Sequence, residues 1–399
     1  PMLSLTARPL IEATVPVLLA HGEAITRHFY ERMFSHHPEL KNLFNMGNQA
    51  TGDQAQALAG SVYAFAAHMD KPEVIGPVLD RIAHKHVSLG ITPAQYTIVG
   101  RHLLASLGEV LGAAITPDIA AAWDEVYWLM ATELVAREAR LYQARDWQAG
   151  QDWPEMQVVA REDAADGIAA LRLRPVDGSL PAGFTPGQYI SVALPIPASG
   201  LIQVRQYSLS DAPGGDTWRI TVKRVPHGEG APPGAVSGQL NDVLRVGDTL
   251  RVGPPAGDFQ LADGDRPVVL LSAGVGITPM LAMLSHLAAT QPARPVVFGY
   301  ATTDHLHFPH RDEVHAALGQ LQQARHHLWL ETPDENEAAA LTGRMDLDWI
   351  EPLPADADVY LCGPLPFMQQ QRRWLLARGI PRERIHYEVF GPDLFGELE

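Results

Sequence analysis

The chain has 399 residues, room for two or three domains with separate cores, and 46 acidic against 30 basic residues leave a formal charge of −16. No run of Lys or Arg tracks phosphates, so a nucleic-acid partner is not expected, and a hydrophobic share of 46% with 19% charged residues excludes a disordered chain. The single cysteine, Cys362, excludes an intramolecular disulfide and any multi-cysteine metal site, and fits a reducing, cytoplasmic setting.

Punctuating residues divide the chain. Residues 1–150 hold 8 Pro and 10 Gly, while 151–399 hold 24 of each, so the first part reads as helices and the second as strands and turns. No basic segment followed by an apolar one opens the chain, so secretion is not expected, and Pro1 ahead of Met2 is set aside from the fold. Six to eight helices fit the first part, with apolar rows such as Ile25, Phe29 and Met33, then Leu58, Val62 and Phe65, then Leu79, Ile82, His86 and Leu89. Thr92-Pro93-Ala94-Gln95 carries the capping-box pattern of a helix start. From Trp153 short Val-, Ile- and Tyr-rich segments (156–160, 168–173, 188–193, 219–225) predict an antiparallel barrel or sandwich. From Pro267, strands at 267–272, 295–300, 327–331 and 358–361 alternate with helices at 278–290, 311–323 and 366–378, the rhythm of a parallel sheet. The apolar stretch 267–284 is broken by Gly274, Gly276 and Pro279, so it does not read as a membrane span. Three domains result: 1–147, all α; 152–262, an antiparallel barrel; and 265–399, α/β with a parallel sheet.

In the helical part, most histidines read as surface or satisfied core residues. His86 differs because it shares the inward row of Leu79, Ile82 and Leu89, whereas His84 is turned by about 200°. Glu138 continues the apolar row of Tyr127, Met130, Leu134 and Leu141, and a buried carboxyl group needs a partner. Tyr96, Tyr30 and Gln54 are further polar-tipped residues on or beside inward faces, and Gln54 heads the row containing Leu58.

The stretches His28-Phe29-Tyr30-Glu31-Arg32-Met33-Phe34, Pro38 to Met46, and Ile82-Ala83-His84-Lys85-His86 resemble the globin domain of the bacterial flavohaemoglobins, and the resemblance continues through both later domains. It implies haem b with His86 as the proximal iron ligand, Glu138 and Tyr96 behind it, and Tyr30, Gln54 and Leu58 on the distal side. An acceptor behind the ligating imidazole makes it more electron-donating, and a phenol opposite the iron stabilises negative charge on bound dioxygen.

Three ordered segments, Pro186-Gly187-Gln188-Tyr189, Arg205-Gln206-Tyr207-Ser208 and Gly234-Ala235-Val236-Ser237, resemble the ferredoxin-reductase-type FAD barrel. In such barrels Arg205 binds the pyrophosphate with donors near Gly234 and from Ser237, Tyr207 packs beside the flavin, and Ser208 bonds near its reactive nitrogen. A strand then runs into Ala273-Gly274-Val275-Gly276-Ile277-Thr278-Pro279, where two glycines let backbone approach a pyrophosphate, with Thr278 as helix cap and Pro279 opening the helix. Cys362-Gly363-Pro364 ends the last clear strand at the same sheet edge, where the family places the nicotinamide; Cys362 equally reads as a small buried residue. His386 to Pro392 resembles the family's tail, which assigns Phe390 to shield the flavin and Glu388 to lie near the haem. Lys85, Tyr189, Gln206, Val236 and Val389 complete the implied cofactor-binding set. The sequence departs from the family at Gly238 to Asp242, which lacks the expected aromatic or His, and at Pro226 to Pro233, which reads as a variable insertion.

The resemblance implies a nitric oxide dioxygenase in which NAD(P)H reduces FAD, FAD reduces haem, and haem-bound dioxygen converts nitric oxide to nitrate. NADH is favoured because Tyr300-Ala301-Thr302-Thr303-Asp304 offers no base to a 2′-phosphate. Two other readings stand beside it: an oxygen- or redox-binding haemoprotein whose reductase keeps iron ferrous, and a lipid-binding or hydroperoxide-reducing protein with an acyl chain in an apolar distal pocket. A monomer is expected.

Overall fold

The computed structural model describes residues 2–226 and 234–391. Most of the insertion expected at Pro226 to Pro233, together with Pro1 and the tail from Pro392, lies outside the described residues. Six α-helices come first: α1 (Ala7–His36), α2 (Met46–Thr51), α3 (Asp53–His68), α4 (Pro72–Leu89), α5 (Pro93–Leu111) and α6 (Pro117–Ala144). They bury Phe65, Leu79, Val87, Trp123, Val126 and Leu134 between them. How α4 ends decides where His86 sits. Gly90 takes a left-handed φ of +73°, and the amides of Gly90 and Ile91 bond the carbonyls of Val87 and His86 at 3.1 Å each. Two residues later Thr92 and Gln95 form the expected capping box, with Thr92 N donating to Gln95 Oε1 at 2.9 Å. This short, doubly fixed corner sets α4 beside α5, His86 on one and Tyr96 on the other.

The second unit has β1 (Glu155–Ala165), β2 (Ile168–Pro175), β3 (Tyr189–Ile196), β4 (Leu201–Ser208), β5 (Trp218–Lys223), the one-turn α7 (Ala235–Gly238) and β6 (Thr249–Val252). The order β4-β3-β6-β1-β2-β5 is antiparallel, and a bridge between Leu209 and Ile220 joins its two ends, so the sheet closes into a barrel around Val158, Leu171, Ile190, Val192 and Ile220.

The third unit has β7 (Val268–Ala273), α8 (Ile277–Thr290), β8 (Val296–Thr302), α9 (Arg311–Gln320), β9 (Ala324–Leu330), β10 (Leu341–Thr342), β11 (Asp358–Cys362), α10 (Leu365–Ala377) and β12 (Ile385–Glu388). Its sheet is parallel in the order β10-β9-β8-β7-β11-β12, with α8 and α9 in one core and α10 in the other. The strand order reverses between β7 and β11, and their carboxyl ends carry Gly274–Gly276 and Cys362–Pro364, where such sheets bind ligands. Two expectations are corrected. The helix expected over 311–323 stops at Gln320, because Leu321 turns extended and drops into the core. The segment read as a tail pairs its residues 385–388 with β11 as an edge strand, a pairing set by contacts with residues 359–362 and not by local pattern.

Candidate functional site

The proximal group forms where α4, α5 and α6 meet. Glu138, 4% exposed on the inward face of α6, accepts from His86 Nδ1 at 2.7 Å and from the Tyr96 hydroxyl at 2.6 Å, and Tyr96 Oη lies 2.8 Å from His86 Nδ1. Burial, reinforced by Glu138, pushes the Tyr96 hydroxyl well above its ordinary pKa, so it stays a donor. With Nδ1 committed to an acceptor, the lone pair of His86 falls on Nε2, which has no hydrogen bond among the described residues. A neutral imidazole with one nitrogen fixed and the other offered is the donor that haem iron needs, and it fits that group. His84, two residues back, turns to the seam with the barrel, where its Nδ1 accepts from Gly257 N at 3.2 Å.

In a separate cluster of the helical unit, Tyr30 is 5% exposed, its ring held against Phe29, Phe34 and Phe44 at centroid distances of 4.8, 5.9 and 5.4 Å. Burial raises its hydroxyl pKa far above the ordinary value, against the opposing pull of the neighbouring Gln54 and Gln49 side chains. The phenol is therefore a neutral donor. Leu58 packs at the edge of the same cluster.

At the seam between the helical unit and the barrel, Arg205 donates to Asn45 Oδ1 and to Val204 O at 2.8 Å each, and no carboxylate pairs with it among the described residues. A largely buried guanidinium held by neutral acceptors fits an anionic group such as a pyrophosphate. Ser208 Oγ is buried without a hydrogen-bond partner among the described residues at the end of β4, directly across the ladder from Tyr189. An orphaned hydroxyl there fits a flavin heteroatom. Tyr207 lies partly buried against the barrel core. Lys85 donates to Gln206 Oε1, and Gln206 Nε2 to Ser191 Oγ at 3.1 Å. Burial pulls the Lys85 ammonium down to about 8, with Glu388 opposing the shift and Arg205 adding to it, which puts both charges in its surroundings. Tyr189, buried, has Ser88 and Glu388 as neighbours. Near the other end of the expected flavin, Ser237 Oγ donates to Gly234 O at 3.1 Å and accepts from Val225 N at 3.2 Å. Val236 points into the barrel core, so only its backbone can serve a ligand.

In the α/β unit, Gly274 has a φ of +55° and opens a single 3-10 turn, Gly274–Gly276, ahead of α8. A Cβ on Gly276 would sit 2.3 Å from the Cys362 carbonyl oxygen, so glycine is what lets the loop close over the end of β11. Ser272 Oγ, just before the loop, is buried without a partner among the described residues, a second orphan at a candidate ligand edge. Thr278 does not cap the helix as expected. The intervening 3-10 turn moves the helix start to Ile277, and the Thr278 hydroxyl donates back to Val275 O at 3.1 Å. Pro279 is accordingly buried within the first turn. Cys362 is fully buried, and burial raises its thiol pKa, so it meets the crevice through its backbone; Gly363 and Pro364 carry the chain from there into α10. Val389 packs against the adjacent core, and Phe390 is 46% exposed.

Sequence reasoning missed three groups. Gln49 stands beside Tyr30 with its Nε2 buried and unpartnered, but α2 is too short to show a periodicity. Asn45 caps α2 and also reaches Arg205. Arg81, on the helix that carries His86, donates to the Tyr387 hydroxyl at 2.7 Å and lies 4.3 Å from that ring's centroid. Contacts across 160 and 306 residues have no local signature.

Family profiles match this chain in the same order as its three units: Globin over residues 27–134, Oxidoreductase FAD-binding domain over 155–261 and Oxidoreductase NAD-binding domain over 270–373. The flavohemoprotein of Rhizobium meliloti is 45% identical, with 99% of this chain and all of that one covered, and that of Bordetella parapertussis is 46% identical over 98% and 99%. Among solved structures, a Malassezia yamatoensis flavohemoglobin with bound FAD and heme superposes with a TM-score of 0.87 at 34% identity, covering 98% of this chain and 100% of that one. The FAD/NAD-binding domain of a Vibrio cholerae nitric oxide dioxygenase gives a TM-score of 0.56 at 39% identity, covering 61% of this chain and 100% of that one. A helical haem unit, a flavin barrel and a nicotinamide sheet, joined in this order and matched from end to end, place the chain in the flavohemoprotein family.

Proposed function

We propose that this chain is a nitric oxide dioxygenase that draws its electrons from a nicotinamide, organised as a globin domain (1–147), a flavin barrel (152–262) and a nicotinamide domain (265–399). The observation that carries the reading is the hydrogen-bonded group of His86, Tyr96 and Glu138, in a helical unit that also buries Tyr30 and in a chain that holds two reductase units. When bound, haem supplies an iron for dioxygen, and FAD carries electron pairs from the nicotinamide and releases them singly to that iron. His86 holds the iron through Nε2, and Glu138 and Tyr96 keep Nδ1 protonated and the imidazole electron-rich, which favours oxygen activation over storage. The neutral Tyr30 hydroxyl donates toward charge on the distal side, with Gln54 orienting it and Leu58 closing the pocket. Arg205 and the Gly234 to Ser237 turn hold the flavin pyrophosphate, Ser208 and Tyr207 position its ring, and Lys85, Gln206 and Glu388 line the path between flavin and haem. The glycine turn after β7, together with the backbone of Cys362 to Pro364, receives the nicotinamide dinucleotide.

We take the protein as a cytoplasmic monomer. Among the described residues no helix is long and apolar enough to cross a membrane. Charge balance sets the test: NO + O2 + one electron gives one nitrate ion, so each NADH supports two turnovers. One nitrate formed and half an NADH consumed per nitric oxide is the expected result. NADH oxidation that ignores nitric oxide, or that rises with a fatty-acyl hydroperoxide in its place, would overturn the reading.

A further inference from the structure

The barrel and the α/β domain have separate cores, so something polar must fix the angle between them. Their seam includes two backbone bonds, Asp166 N to Leu306 O at 2.9 Å and His310 N to Ala164 O at 3.3 Å. At its centre is a charged pair. Arg219 of β5 is 3% exposed and forks onto Glu313 of α9, with Nη1 to Oε2 at 2.7 Å and Nη2 to Oε1 at 2.9 Å. The same guanidinium donates from Nη2 to Ser210 O and from Nε to Ser210 Oγ at 3.2 Å.

Ser210 lies two residues beyond Ser208, and the Leu209–Ile220 bridge that closes the barrel runs beside it. Arg219 therefore ties three things together: the barrel's closing seam, the strand end that presents Tyr207 and Ser208, and a helix of the neighbouring domain. Glu313 is in turn reached by Ser285 Oγ of α8 at 3.4 Å, and α8 is the helix that starts at the Gly274–Gly276 turn. His310 flanks the pair, its Nε2 2.9 Å from Thr221 Oγ1 on the barrel. A buried guanidinium costs free energy unless its donors and its charge are met; Ser210 meets part of that need within the barrel, and the carboxylate that balances the charge comes from the neighbouring domain.

We propose that Arg219 and Glu313 are a positioning pair for hydride transfer, fixing the nicotinamide turn at its working distance from the strand end at Ser208. This rests on the reading above, in which a nicotinamide reduces the flavin. In that step the nicotinamide C–H bond breaks with its electron pair and the flavin gains the hydrogen and both electrons. Neither residue touches the reacting atoms. Misplacement of a reacting pair by about 1 Å costs on the order of a hundredfold in rate, so a loosened seam slows this step while leaving each binding surface intact.

The test uses the full holoprotein and three variants: Glu313→Gln, Arg219→Lys and the double variant. Flavin reduction by NADH, followed by stopped flow, is expected to slow at least tenfold in each single variant, with the NADH KM changed less than threefold. The double variant is expected within twofold of the slower single one, because the two residues act as a unit. The long-wavelength charge-transfer absorbance that NAD+ gives with reduced flavin should fall in parallel, a readout of ring overlap that a purely structural role would leave unchanged. If Arg219→Lys loses FAD, Glu313→Gln, which leaves the barrel untouched, carries the test. Reduction within twofold of wild type, or a slower rate with the charge-transfer band intact, would overturn the proposal. Wild-type protein whose flavin NADH fails to reduce would instead overturn the function on which it rests.

Discussion

The two sides of the molecule solve the same problem, placing polar groups in a dry interior, in opposite ways. Around His86, the proposed iron ligand, the polar atoms of His86, Tyr96 and Glu138 that face one another satisfy one another inside a single helical unit. At the proposed flavin and nicotinamide edges the groups are left open or borrowed: Ser208 and Ser272 have no partner among the described residues, and Arg205 rests on Asn45 of the globin domain. A closed network makes the imidazole rigid before any ligand arrives, as an axial ligand requires. An open one keeps donors free for groups that come and go, at the cost of leaving polar atoms unpaired. Substitutions should therefore act abruptly on the haem side and by degrees on the reductase side.

The largest effect falls on His86. Removing the one nitrogen that the network leaves for iron is expected to abolish haem binding in His86→Ala, so that the intense haem absorbance band vanishes while the flavin bands persist. His84→Ala should keep both, because that ring serves Gly257 at the domain seam. A His86→Ala protein that purifies with a normal haem spectrum would break the comparison at its first term.

Arg205→Ala comes next. The guanidinium supplies at least one charge-assisted bond of about 1.5–3 kcal/mol, so FAD affinity should fall about 10- to 150-fold or more. Dialysis of the purified variant followed by flavin absorbance would show it, and full flavin occupancy would refute the assignment. Tyr30→Phe removes a single neutral donor toward bound dioxygen; by the same arithmetic, oxygen release from the reduced protein should quicken about 10- to 150-fold. Ferricyanide reduction by NADH, which uses only the barrel and sheet, should hold. A release rate within about twofold of wild type would make Tyr30 a packing residue.

The contrast also explains what could be read from the chain. His86 and Glu138 stood out because each is a polar residue on an apolar helical row, and a row is a local pattern. The glycine turn was legible because strand, turn and helix follow one another in sequence. Thr278 was misjudged within that same motif: a 3-10 turn between strand and helix shifts the cap by a residue or two, and composition does not register such a shift. Gln49 was invisible because α2 is a single short helix with no period to read, and the Arg81–Tyr387 stack and the Arg219–Glu313 fork because each depends on which face meets which after domains dock. Their residues, read alone, are solvated polar side chains.

The smallest effect is the choice of nicotinamide. Asp304 follows β8, where a 2′-phosphate would approach, and its carboxyl is held by His307, whose Nδ1 and backbone N donate to Oδ1 at 2.7 and 3.1 Å. These bonds, the His307 side chain foremost, lower its pKa, so it is anionic at neutral pH. The nearest Arg or Lys that follows in sequence, Arg311, is engaged by Glu337 and by Asn336 O. A 2′-phosphate would thus meet a fixed negative charge and no free guanidinium from that helix. An exposed like-charge contact of this kind is worth about 1 kcal/mol, so NADH should be favoured over NADPH by about fivefold in KM at low salt. The margin should shrink as ionic strength rises and the charges are screened, and Asp304→Asn should narrow it without touching the NADH value. Equal KM values for the two nucleotides in the wild type would remove Asp304 from the specificity of this site.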